Sequence, residues 1–80
     1  MKKTIITVVG KDSVGIIAKV CTYLAENDIN ILDISQTIVD GFFNMMMIVD
    51  FQSNDKKFTD IAAQLEAMGE DINCVIRAQR

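Results

Sequence analysis

Asp40-Gly41 lies midway along this 80-residue chain. It separates two ten-residue runs, Asn30 to Val39 (NILDISQTIV) and Phe42 to Phe51 (FFNMMMIVDF). Two residues of the Asp-Gly type between such runs are a strong short-range signal for a β-hairpin, because the favoured two-residue turn needs φ > 0 at both central positions. In the second run the odd positions Phe43, Met45, Met47, Val49 and Phe51 are all apolar, whereas the even ones are mixed. One face of the hairpin should therefore be buried. A lone hairpin is only marginally stable, so the flanking segments must supply a second layer.

Both flanks switch from strand to helical periodicity. Upstream, Lys3 to Val9 (KTIITVV) is β-branched and bounded by Gly10. Its faces, Ile5/Thr7/Val9 and Thr4/Ile6/Val8, are both largely apolar, as expected for a central strand. The turn GKDSVG follows, with Asp12 or Ser13 placed to cap a helix from about Val14 to Asn27. Ile17, Val20, Cys21, Leu24 and Ala25 form its expected inward stripe, with Lys19, Thr22 and Glu26 off it. Asn27-Asp28 stops this helix. Downstream, Gln52 to Lys56 reads as a polar loop and about Lys57 to Met68 as a second helix. Phe58, Ile61, Ala62, Leu65 and Met68 should face inward, and Gly69 is expected at the left-handed C-cap. Ile72 to Ala78 closes the pattern as a strand with Ile72, Cys74, Ile76 and Ala78 on one face.

The order is βαββαβ. Asp28-Ile29-Asn30 after the first helix echoes Asp71-Ile72-Asn73 after the second. Two interlocked split βαβ units give an α+β, ferredoxin-like sandwich. Right-handed crossovers then place both helices on one face of a four-stranded antiparallel sheet in the order 4-1-3-2. The second and fourth strands are the edges, and residues 1–80 form a single domain.

Composition narrows the function. Half the residues are apolar and proline is absent, which excludes intrinsic disorder. The net charge of -3 disfavours nucleic acid. No apolar run approaches the ~20 residues of a membrane span, and the segment after Met1-Lys2-Lys3 is too short for a secretory signal, so the expected location is the cytoplasm. There is no histidine, which removes the commonest metal ligand and general base. Cys21 and Cys74 lie far apart and read as small core residues. The glycine spacing of Gly10 to Gly15 imitates a phosphate-binding loop, but Ile16-Ile17 stands where Lys-Ser/Thr is required. Met45-Met46-Met47 cannot converge on a metal, because successive strand residues point to opposite faces. No catalytic residue, metal or cofactor is expected. The uncharged edge stretch Ser35-Gln36-Thr37 and the apolar surplus point to a homodimer formed through the second strands and the first helices.

GKDSVG remains as the candidate site. It joins a central strand to a helix N-terminus, where the N–H groups of Val14, Gly15 and Ile16 and the helix dipole favour an anion. Gly15 allows close approach to the backbone. The same residues also serve a plain cap packed on the sheet, and periodicity leaves the two readings level.

Asp12-x-x-Gly15-Ile16 opening the first helix, and Asn30-Ile31 opening the second strand, resemble an ACT domain. The stretch Asn-Ile-Leu-Asp-Ile-Ser-Gln before an Asp-Gly hairpin is similar to the ACT domains of formyltetrahydrofolate deformylase and the glycine-cleavage regulator. The likeness spans nearly the whole chain and suggests a small stand-alone bacterial ACT protein. It implies a homodimer in which Asp12, Ser13, Val14, Gly15 and Ile16 of one chain face Asn30 and Ile31 of the other. The N–H groups would hold a ligand carboxylate, and Asp12 or Asn30 would receive an ammonium. Val14 stands where the commonest family loop has proline. Gly10 stands where some serine-binding members have histidine, and Asp12 where they have asparagine. The resemblance implies regulation of a partner protein through an amino-acid ligand; a ligand-free dimerisation and interaction module is the alternative.

Overall fold

The computed structural model describes residues 3–11, 13–51 and 58–79. The elements are β1 (Lys3–Gly10), α1 (Ser13–Glu26), β2 (Asn30–Val39), β3 (Phe42–Asp50), α2 (Phe58–Asp71) and β4 (Cys74–Gln79). The sheet is antiparallel in the order β2-β3-β1-β4, the 4-1-3-2 arrangement expected from the element order. The polar-loop expectation for Gln52 to Lys56 and the helix start at Lys57 fall outside the described residues.

Strand alternation builds the inner layer. Thr4, Ile6, Val8 and Gly10 of β1 are buried and stand opposite Val49, Met47, Met45 and Phe43 of β3. Those four β3 residues are buried too, as the odd-position pattern required. The tight turn has φ 53° at Asp40 and 79° at Gly41, the left-handed pair that a twisted hairpin demands.

The α1 stripe is set differently from the sequence expectation. Ile16, Val20 and Leu24, at i, i+4 and i+8, are buried, whereas Ile17 is only half-buried and Ala25 is exposed. Adjacent isoleucines lie about 100° apart around a helix, so moving the stripe by one residue exchanges their roles. After Leu24 the helix closes in a Schellman motif. Asp28 has φ 57°, its N–H donates to the Ala25 carbonyl at 3.2 Å, and the Ile29 N–H donates to the Leu24 carbonyl at 2.9 Å. Ile29 then turns inward and is buried.

α2 corrects a second expectation. Gly69 is not a C-cap; the helix runs on to Asp71, and the left-handed residue is Asn73, at φ 58°. Gly69 is buried one turn earlier because β4 crosses close by. A Cβ there would lie 2.8 Å from the Cys74 carbonyl oxygen and 3.3 Å from the Ile76 nitrogen. The two Asp-Ile-Asn tripeptides are therefore out of phase. Asp28 is the left-handed residue of the first, and Asn73 of the second.

β2 carries a bulge. Ile31 pairs with Val49 and Asp33 with Ile48, leaving Leu32 as the extra residue. The bulge resets the alternation, so that Ile34 and Ile38 share the helix-side face with Met47 and Phe43, their partners on β3.

Candidate functional site at the end of β1 and the start of β2

The loop is seated by Gly10. A Cβ on this residue would come within 2.6 Å of Ile16 Cδ1 and 2.7 Å of Cys74 Cβ. The Ile16 side chain is driven into the core beneath the loop, leaving only its main chain at the α1 start to meet a ligand. The same contacts leave no room at position 10 for the histidine that some ACT loops carry. Val14 is 79% exposed and Gly15 is exposed beside it, so the first turn of α1 faces outward. Asp12 and the Ser13 side chain lie outside the described residues.

Asn30 is exposed and Ile31 half-buried at the start of β2. They are remote from the loop of their own chain. Gly10 stands opposite Phe43, whereas Asn30 stands opposite Asp50, seven positions further along β3. Seven strand residues span about 23 Å. One chain thus holds the two halves of the candidate site at opposite ends of its sheet.

Next to the loop, the helix-side face of β2 is bare. Ile38 is 71% exposed and Ile34 45%, although both share a face with buried β3 residues. Ile17, Gln36, Ile38 and Phe43 line a hollow of about 260 Å³ between α1 and this strand. A larger groove, of about 550 Å³, opens between the two helices and is bounded by Ala18, Tyr23, Gln64 and Met68. The Tyr23 hydroxyl donates to Gln64 Oε1 across it, and burial pushes the Tyr23 phenol pKa up. None of the described candidate site residues lines that groove. Sequence reasoning did not foresee it, because no motif marks a gap between two helices.

Among the described residues no three His, Cys, Asp or Glu side chains are grouped to hold a metal ion. Cys21 and Cys74 are free thiols, and burial raises the Cys74 pKa, away from the reactive thiolate. No described helix is long and apolar enough to cross a membrane.

A one-sided βαββαβ sandwich with an exposed edge strand and an outward-facing helix start defines a small ferredoxin-like module. A family model described as "ACT domain" matches residues 2–79. The chain belongs to the ACT domain family, a class of regulatory domains. It is 61% identical over 80 residues to a UPF0237 protein of Bifidobacterium longum, covering 100% of this chain and 89% of that protein. A solved ACT domain protein from Streptococcus pneumoniae superposes with a TM-score of 0.86 at 45% identity, over 96% of this chain and 86% of that one. A formyltetrahydrofolate deformylase from Pseudomonas syringae matches with a TM-score of 0.86 at 21% identity, over 99% of this chain and 27% of the enzyme, a likeness of fold alone.

Proposed function

We propose that this protein is a regulatory ACT module that binds a free amino acid, or a similar small carboxylate, at a homodimer junction and thereby regulates a partner protein. The observation that carries this reading is the sheet register. Gly10 and Asn30 stand opposite β3 residues seven positions apart, so the two halves of the site meet only if a second chain brings its β2 start to the first chain's loop. An antiparallel pairing of β2 with β2 about a two-fold axis does this, because it sets each end of one sheet beside the opposite end of the other. The exposed Ile34 and Ile38 and the uncharged Ser35-Gln36-Thr37 edge favour that pairing.

The ligand chemistry follows from the main chain. The N-terminal end of α1 favours a carboxylate through its dipole, without any basic side chain. Exposed Gly15 lets the ligand approach the backbone. Asp12 accepts from the ammonium, and Asn30 of the second chain donates or accepts. Ser13, Val14 and Ile16 complete one wall and Ile31 the other.

Calorimetric titration of the full chain with each of the twenty amino acids tests the proposal. One of them should bind, Gly15→Val should abolish its binding, and Asp12→Ala should weaken it while sparing a simple carboxylic acid. Circular dichroism checks that both variants fold. Should none of the twenty bind, or should Gly15→Val bind as well as the parent, the loop is a helix cap and the ligand-free interaction module takes its place.

A further inference from the structure

We infer that the free edge of β4 is a docking site for an extended, basic segment of a partner protein, which joins the sheet as a fifth strand alongside α2. This stands apart from the β2 pairing proposed above, because β2 and β4 are the two opposite edges of the sheet. Among the described residues β4 pairs only with β1, so the N–H and C=O groups of its alternate residues point away from the sheet. The strand lacks the bulge, proline or inward charge that would obstruct pairing there. Its register with β1 is unbroken from Cys74 to Gln79, whereas β2 is bulged at Leu32. The chain has no proline, and the residues that face the helix layer, Cys74, Ile76 and Ala78, are uncharged. A hollow of about 540 Å³ runs beside the strand from Cys74 to Gln79 and is bounded by Glu66 and Glu70 of α2.

Charge selects the occupant. Glu66 and Glu70 are both exposed and lie one turn apart, ~6 Å along α2. Side chains on one face of an extended strand recur every ~6.6 Å. An incoming strand with lysine or arginine at alternate positions therefore brings one cation to each carboxylate, while its main chain bonds to β4. Its intervening residues fall on the open face, beside exposed Val75 and Arg77, and suit an apolar and an acidic side chain. Arg77 is the basic residue that lines the hollow, and by alternation with Ile76 it sits on that open face, away from the two glutamates. Arg80 follows Gln79 in sequence and lies outside the described residues; one cation offsets only one of two carboxylates. A second copy does not suit the edge. Pairing β4 with β4 about a two-fold axis would set two Glu66 and Glu70 pairs side by side, where like charges repel.

Calorimetric titration of the full chain with a capped peptide alternating lysine and valine, six residues long like β4, tests this. The peptide should bind, and the β4 amides that face away from β1 should exchange with solvent about tenfold more slowly in its presence. The same peptide N-methylated at every residue keeps its charge and loses its donors, so it should bind about tenfold more weakly or not at all. Glu66→Lys and Glu70→Lys, both at exposed helix positions, should each weaken binding about tenfold while keeping the parent's circular dichroism. Glu26→Lys, on α1 and outside the hollow, should leave it unchanged. No binding overturns the inference, and so does equal binding of the N-methylated peptide, which would show attraction by charge alone. A loss in Glu26→Lys as large as in Glu66→Lys overturns it in the same way. Protection of the β4 amides that rises with protein concentration alone would give the edge to a second copy and also overturn it.

Discussion

Gly10 stands opposite Phe43 and Asn30 opposite Asp50, so these two residues mark opposite ends of β3. A ligand that needs both ends must be held by two chains, and that can be tested by complementation. Gly15→Val and Asn30→Ala should each abolish amino-acid binding alone. Mixed in equal amounts and allowed to exchange subunits, they should recover about a quarter of the parent's sites, because half the dimers are mixed and each mixed dimer holds one intact site. Calorimetric stoichiometry measures the fraction, and no recovery would show that each chain binds by itself.

Leu24 and Ile16 are fully buried and Ile17 is not. Leu24→Ala and Ile16→Ala should each cost about 2–5 kcal/mol of stability. Ile17→Ala should cost distinctly less in the same denaturant titration. Equal losses at 16 and 17 would contradict the observed rotation of α1.

Two helix-end substitutions should act in opposite directions. Gly69→Ala gains about 1 kcal/mol in helix propensity, but its methyl group meets the Cys74 carbonyl oxygen at 2.8 Å, a backbone atom that cannot swing away. A net loss of about 1–2 kcal/mol is expected. Asp28→Gly, at φ 57°, should stabilise by up to about 1 kcal/mol, since glycine adopts this conformation without strain. Thermal unfolding of the pair checks both signs.

Thr4 Oγ1 is buried without a hydrogen-bond partner among the described residues. Removing a hydroxyl that has no partner relieves its desolvation penalty of about 1–3 kcal/mol. Thr4→Val should leave the unfolding midpoint unchanged or raise it. A loss above ~1 kcal/mol would reveal a partner for the hydroxyl.

Burial raises the pKa of Tyr23 from its usual 10.0 and that of Cys74 from its usual 9.0. Both groups are neutral when protonated, so the folded chain holds these protons more tightly than the unfolded one. Their contribution to stability is complete below the ordinary values and is lost as pH rises through the raised ones. Denaturation midpoints should fall above about pH 9–10, and less steeply in Tyr23→Phe. Identical slopes for parent and variant would exclude Tyr23 as a source.

The hairpin and β3 could be read directly from the residues, because Asp40-Gly41 has few conformational alternatives and strict alternation from Phe43 to Phe51 admits one inner face. Element order then left one sheet topology. Gly69 could not be placed from sequence: a helix-interior glycine pressed on a strand and a C-cap glycine look alike until β4 is in position. The bulge at Leu32 carries no glycine to mark it. Of the candidate site, Val14 and Gly15 were legible as an exposed helix start. What was hidden was the distance from Asn30 to the loop of its own chain, a property of strand register and not of local pattern.

The placement of β1 also bears on how the chain acquires its structure. β2 and β3 are joined by two residues and can pair as soon as both exist, on the microsecond scale of an isolated hairpin. β1 has no such local partner. It must bridge β3, with Lys3 meeting Asp50, and β4, with Ile5 meeting Gln79, so it closes loops of about half and nearly all of the chain. Closing long loops is slow compared with making local contacts. By this measure β1 docks on the hairpin before β4 docks on β1, so the β4 edge is the last part of the sheet to be completed, and until β1 arrives the hairpin carries two unsatisfied edges.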